Sequence, residues 1–193
     1  MSLLETLRQE LPDYGKDIKL NLGSLLGAGA VPELTAAQRW GSAVAAAIAA
    51  RQPRLLAAIA AEAAGTTDAA TIEAARTAAA LMAMTNVYYR AVHMAGDAEL
   101  ARLPAGLRMN ALTRHGIAQA DFELFGLAAS AVKGCEGCTR AHVDGARKHG
   151  VPLPAIQAVL RIAAVVHAAA TVLDAATAAD TPAEGDARPL AVA

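Results

Sequence analysis

The chain has 193 residues, with 17 basic side chains against 18 acidic ones and a formal net charge of -1. That balance supplies no basic face for nucleic acid. A composition 55% hydrophobic but only 3% aromatic disfavours a large β-sandwich or barrel; its abundant alanine points to an all-α protein packed through Ala, Leu, Val and Ile.

In chain order, residues 2–10 read as a short amphipathic helix ended by Leu11-Pro12-Asp13, and a second short helix covers about 13–26. Residues 27–32 form a loop. Thr35 and Gln38 match a capping box, so a helix starts there and runs to about Gln52. Pro53 suits the first turn of the next helix, which ends near Gly65. Thr66-Thr67-Asp68 offers N-caps for a long helix to about Met94. Residues 97–117 are mixed, with short helical pieces around Pro104 and Gly116. A helix from about Ala118 to Val132 precedes another from Cys135 to His149, with Gly150 as C-cap. A last long helix covers about 155–176. The expected organisation is one all-helical domain over 1–176 and a flexible C-terminal tail over 177–193.

Mean hydropathy is positive, so two apolar stretches need testing as membrane spans. Arg76 and Asn86 interrupt one; Gln157, Arg161 and His167 interrupt the other. Both read as buried core helices, since a span needs about 20 nearly unbroken apolar residues. The first ten residues carry neither the basic nor the apolar region of a secretory signal. The expectation is a cytoplasmic protein that engages neither membrane nor nucleic acid.

Displacing the chain against itself by 85 residues sets Gly41 on Gly126, Gly65 on Gly150, Arg76 on Arg161 and Trp40 on Phe125. This weak echo suggests a degenerate internal duplication. Pro53 then falls at the place of Cys138 and Ala57 at that of His142, so any site built on those residues occurs once.

Cys135 and Cys138 are the only two cysteines, and His142 follows one helical turn later. At ~100° per residue these three positions share an arc of roughly 60° on a helix. A thiol reacts as its thiolate. The positive end of a helix favours an anion, so both sulfurs are expected to ionise more easily than a free cysteine. His142 can take the proton of Cys138, and an imidazole in that role needs its second nitrogen held, commonly by a carboxylate. Glu123, twelve positions before Cys135, and Asp121 are the two candidates. Spacing alone does not choose between them.

The pattern Glu123-x11-Cys135-x-x-Cys138-x3-His142 is led by Ser130 and Gly134 and closed by Arg147-Lys148-x-Gly150. It resembles the alkyl hydroperoxidase D family, part of the wider carboxymuconolactone decarboxylase-like fold. The similarity is densest over 115–150; Leu11 to Asp17 also resembles full-length members. The resemblance implies an all-helical protomer, usually a homotrimer, with dithiol peroxidase activity of the lipoyl-dependent peroxiredoxin type. Cys138 is then the peroxidatic thiol that becomes the sulfenic acid. Cys135 is the resolving, proton-donating partner, more accessible to other proteins. Glu123 as general base and His142 form the proton relay.

The resemblance further implies dihydrolipoamide as electron donor, carried by a lipoylated dehydrogenase-complex component, and no bound cofactor. The implied partner is the peroxiredoxin alkyl hydroperoxide reductase C. One departure stands out: some members have a second histidine between the cysteines, where this chain has Gly137.

Other readings stand beside this one. A pure thiol–disulfide electron adaptor keeps the cysteines without significant peroxidase chemistry. A non-enzymatic helical module would hold zinc on Cys135, Cys138 and His142, with Glu136 or a neighbouring subunit as fourth ligand. A decarboxylase or isomerase of the wider fold has no evident need for paired thiols. Asp121 reads as a helix N-terminal charge, and His93, His115 and His149 as ordinary residues. His167 is expected to be buried on the last helix. Trp40 and Tyr88-Tyr89 are expected in the core or at subunit contacts, and Met82, Met84 and Met94 as core filler.

Overall fold

The computed structural model describes residues 1–27 and 29–180. Among them are α1 (Leu3–Gln9), α2 (Lys16–Leu26), α3 (Ala36–Ala50), α4 (Pro53–Thr66), α5 (Ala69–Ala95), α6 (Ala98–Arg102), α7 (Gln119–Lys133), α8 (Glu136–Lys148) and α9 (Leu153–Asp180). Short 3-10 turns occupy Asp13–Gly15 and Asn110–Leu112, and no strand occurs among the described residues. The protein is all-α.

The helix starts have local causes. The Thr35 hydroxyl accepts the Gln38 amide N–H while the Gln38 side chain accepts the Thr35 N–H, closing the capping box of α3. Pro53 opens α4, where its missing N–H costs nothing. Asp68 caps α5 through the Thr71 N–H at 2.7 Å.

α3 is the central rod. It packs against α4, α5, α7 and α9, and Ala43, Val44, Ala45, Ala46 and Ala47 on it are all but inaccessible. Side chains this small let the neighbouring helices approach closely. Phe122, Phe125, Leu124 and Leu127 of α7 fill the space beside them. At Gly41 the helices leave no room for a side chain: an added Cβ would lie 2.1 Å from the Phe125 ring.

Shifting α3, α4 and α5 by 85 residues gives 121–135, 138–151 and 154–180, against 119–133, 136–148 and 153–180 for α7, α8 and α9. The two halves therefore repeat one three-helix order.

Several details differ from the sequence expectation. α9 reaches Asp180, so 177–180 continue the helix; alanine and threonine without a breaker extend it past 176, and the rest of the expected tail lies outside the described residues. The short helical pieces of the 97–117 segment fall at Ala98–Arg102, capped by Asp97, and at Asn110–Leu112, not at Pro104 and Gly116. Gly116 instead takes φ +77°, a turn conformation that glycine adopts without strain.

The span Leu153–Ala178 has the length and apolar composition to cross a membrane, but half of its most apolar window is buried within the chain. α9 packs on α2, α3 and α7, as a core helix does. His167 on this helix is exposed, not buried, because Val166, Ala169 and Ala170 take the inward stripe.

Replacing Gly41 with alanine is expected to destabilise the fold by about 1–3 kcal/mol through overpacking against Phe125, more than the ~1 kcal/mol that alanine gains in a helix. Urea unfolding of Gly41→Ala checks this through its midpoint.

Candidate active site

Two residues separate α7 from α8. Gly134 takes φ +65° at the end of α7 and its N–H bonds back to Ala131, the left-handed turn for which glycine is the usual residue. Cys135 then has extended backbone (φ -92°, ψ 101°) and is the N-cap of α8 rather than its first helical residue. Its Sγ accepts the Cys138 backbone N–H at 3.4 Å. A thiol thus fills the capping position usually held by Ser, Thr, Asp or Asn, and the cap itself draws the two cysteines together.

Both are buried, Cys135 at 1% and Cys138 at 8% exposure, so Cys135 is not the more accessible residue over its whole surface. They open onto different spaces. Cys138 lines a cavity of about 490 Å³ with Met82, Thr85, Tyr89, Met109, Leu112 and His142. Cys135 lines a second, also about 490 Å³, with Arg90, His93, Met94, Glu136 and Arg140. Tyr89 and Gly137 border both.

The expectation that Cys138 ionises easily is overturned. Burial pushes its thiol up, to about 12, and the neighbouring Cys135 sulfur adds to the rise, while the Arg90 charge works in the opposite direction. Removing a thiolate from water outweighs the pull of the helix end.

His142 and Glu123 meet across the α7–α8 hairpin. The imidazole Nδ1–H donates to Glu123 Oε2 at 2.8 Å, with both side chains largely buried. Desolvation raises the Glu123 pKa, but the hydrogen bonds from His142 and Gln119 and the histidine charge outweigh it, so the carboxyl lies below its ordinary value. Asp121, the other candidate carboxylate, sits in the first turn of α7 and accepts from Gln38 Nε2 at 2.8 Å, away from the imidazole.

Two glycines make room for the pair: a Cβ on Gly126 would lie 2.5 Å from the His142 ring, and one on Gly145 would lie 2.7 Å from the Glu123 carboxyl. The second ring nitrogen, Nε2, is 3.0 Å from Met82 Sδ. With Nδ1–H given to Glu123, Nε2 of the neutral ring keeps its lone pair and rests against the Met82 sulfur, on the wall of the cavity that Cys138 also lines. Among the described residues no three His, Cys, Asp or Glu side chains converge as a metal-holding group.

Residues outside the expected set complete the surroundings. His115 Nε2–H donates to Gln119 Oε1 at 2.8 Å, and Gln119 Nε2–H donates to Glu123 Oε1 at 2.8 Å. His115 also stacks on Phe122, centroids 4.0 Å apart. Gln119 and Glu123 stand at the i, i+4 interval on α7, a signal present in the sequence, whereas His115 lies before the helix and reaches Gln119 across the turn at Gly116. Met82 is not mere filler, since it touches His142, while Met94 is 76% exposed. Tyr89, 42% exposed, stands at the thiol cavities rather than in the core. Trp40 is buried, as expected of a core residue.

Residues 98–181 match the Carboxymuconolactone decarboxylase family. Over 161 residues, 83% of this chain, the sequence is 50% identical to the alkyl hydroperoxide reductase AhpD of Rhodospirillum centenum, covering 85% of that protein. It is 49% identical over 164 residues to AhpD of an Anaeromyxobacter species, covering 85% of this chain and 87% of the relative. It is likewise 49% identical over 158 residues to AhpD of Frankia alni, covering 82% and 84%. With about half of the aligned residues shared over 84–87% of the length of these relatives, and a helical thiol site set on α7 and α8, the chain belongs to the AhpD family.

Proposed function

We propose that this protein is a thiol peroxidase that reduces alkyl hydroperoxides through a disulfide cycle of Cys135 and Cys138, and that it passes electrons from dihydrolipoamide to alkyl hydroperoxide reductase C. The relatives carry the name alkyl hydroperoxide reductase. The observation that carries the reading is the buried His142–Glu123 pair beside an apolar cavity that also holds Cys138.

Cys138 rests as a thiol, because its pKa is raised to about 12. Its proton must leave as the hydroperoxide arrives. His142, held by Glu123, is the base on the same cavity wall, and Glu123 stabilises the imidazolium that forms. The Cys138 sulfur attacks the distal peroxide oxygen, the O–O bond breaks, and the alcohol leaves with a proton. The resulting sulfenic acid condenses with the Cys135 thiol, releasing water and forming the disulfide. Dihydrolipoamide restores both thiols by exchange and leaves as the cyclic disulfide.

The two cavities suit a division of labour. The apolar one at Cys138 takes the alkyl group of the peroxide. The one at Cys135, with Arg90, His93 and Arg140, takes the incoming dithiol or the partner's cysteine. Glycine at 137 leaves the strip between them open. Exposed Leu100 on α6 and Leu103 just beyond it offer apolar surface for a homotrimer. A cytoplasmic location, where reduced thiols and lipoylated complexes are available, fits this chemistry.

A zinc module requires several ligands converging on one point, and among the described residues no three His, Cys, Asp or Glu side chains do so. The adaptor reading would use the same buried base, since thiol–disulfide exchange also needs a thiolate, so peroxide reduction by the protein alone is what distinguishes the two. A stopped-flow peroxide assay without the peroxiredoxin separates it from the peroxidase.

Intact mass after one equivalent of alkyl hydroperoxide is expected to fall by two hydrogens and to recover with dihydrolipoamide. Cys138→Ser shows neither change, and Cys135→Ser accumulates the sulfenic acid. An unchanged wild-type mass would sink the reading.

Glu123→Gln is expected to lower the peroxidase rate by about a hundredfold, measured at saturating peroxide. Gly126→Ala lowers it through displacement of the His142 ring, with no change at the thiols themselves.

The depressed Glu123 pKa also gives a stability signature. A carboxyl held below its unfolded value contributes fully above that value, about 4.3, and the contribution is lost as pH falls through the folded one. Urea unfolding between about pH 6 and pH 3 should therefore show an acid-side loss of stability that is smaller in Glu123→Gln.

A further inference from the structure

On the side of α5 facing α3 and α7 lies a third cavity, about 450 Å³, that neither cysteine lines. Its walls are apolar, from Ile48, Ala79, Ala83, Val87 and Ala129, and its rim carries Arg51, Arg90 and Lys133, with no acidic residue in the lining. None of these three cations makes an ion pair among the described residues. They lie close enough that, after burial, the charges of Arg51 and Arg90 hold the Lys133 ammonium below its ordinary range.

The ends of two helices meet this rim, since α3 stops at Ala50 and α7 at Lys133. Arg90 Nη1 donates to the Lys133 carbonyl. Each helix end supplies about half a negative unit, so the two together leave about two positive charges unbalanced. Asn86 lines the same cavity one turn below Arg90. It is 1% exposed, accepts from Ser130 Oγ at 3.1 Å, and its Nδ2 has no partner. A buried amide donor left unsatisfied is costly.

Backbone geometry adds an independent sign. Arg51 takes φ +67° at the C-cap of α3. The matching cap of α7 is Gly134 at φ +65°, the residue that conformation favours. An arginine held in a conformation that disfavours a side chain, at the mouth of a cationic cavity, is the kind of strain that function sustains.

We propose that this cavity binds a small amphipathic carboxylate, its acyl chain along Ile48, Ala79 and Val87 and its carboxylate among Arg51, Arg90, Lys133 and the Asn86 amide. Met82 belongs both to this cavity and to the one holding Cys138, so the ligand bears on the sulfur against which His142 rests. The site is independent of the peroxidase reading, because binding needs neither thiol.

The test is calorimetric titration of the full chain, without peroxide, with octanoate, octanol and inorganic phosphate. Octanoate is expected to bind about tenfold or more tightly than either of the others. Arg51→Gly removes one cation and the backbone strain together. It is expected to weaken octanoate about tenfold while the thermal midpoint holds or rises, and Lys133→Met should weaken it in the same direction. A purely structural Arg51 would give the opposite pattern, a lower midpoint with octanoate binding kept. Octanol matching octanoate would mean an apolar hole, and phosphate matching it a bare anion site; either result, or undiminished octanoate binding in both variants, overturns the proposal.

Discussion

The buried contact between Glu123 and His142 is the constraint on which the site depends. A carboxylate moved out of water loses several kcal/mol of hydration. Here that loss is offset by two donors, His142 Nδ1–H and Gln119 Nε2–H, one on each oxygen. Remove either partner and a charge or a donor is left buried alone. The contact also needs close approach of α7 and α8, which Gly126 and Gly145 permit by leaving space for the imidazole and the carboxyl. The geometry that locks the hairpin is therefore the geometry that orients the base. Fold and chemistry are not separable in this region.

The thiols show two opposed effects whose sizes decide the outcome. The positive end of α8 favours an anion by about 0.3–1 kcal/mol, and by ~2 kcal/mol in the best buried cases. Raising the Cys138 pKa from 9.0 to about 12 corresponds to roughly 4 kcal/mol against the thiolate. Burial wins, and the resting sulfur keeps its proton. A protonated, enclosed thiol is protected from stray oxidation, since the thiolate is the reactive form. Its activation then has to be coupled to occupancy of the cavity it shares with His142, and the Arg90 charge, which favours the thiolate, is a fixed aid.

Much of the architecture was legible because its causes are local. Thr35 with Gln38, Pro53 and Asp68 mark helix starts by mechanisms that work within four residues. The Cys–Cys–His spacing likewise placed three groups near one face. What escaped depends on tertiary packing or on a one-residue distinction. Met82 and Tyr89 reach the thiols from α5, some fifty residues away, and nothing in their immediate neighbours announces it. Reading Cys135 as helical rather than as the cap hid the hydrogen bond that joins the cysteines. The Gln119–Glu123 step was visible as an i, i+4 pair, but His115 joins it from the irregular turn before α7, which spacing does not announce. The balance of burial against helix polarity could not be read at all, because exposure is a property of the whole fold.

The repeat of three helices explains why one half carries chemistry and the other does not. At the start of α4, buried Gln52 caps with its amide oxygen, accepting the Leu55 N–H at 2.9 Å. At the start of α8, Cys135 does the same with sulfur. The device is shared, but only the second uses an atom that can be oxidised. The preceding αL residue is exchanged in the opposite sense, arginine at 51 and glycine at 134. With the caps aligned in this way, the register is 83 residues rather than the 85 of the sequence echo, and Leu55 and Ile59, not Pro53 and Ala57, stand where the second half has Cys138 and His142; both are fully buried and apolar. Released from reactive groups, α3 became the alanine-rich centre against which α7 is pressed. That pressure holds Phe122 and Phe125 inward and so fixes the rotation of α7 that turns Glu123 toward α8. The inert half acts on the reaction by setting the angle of one helix.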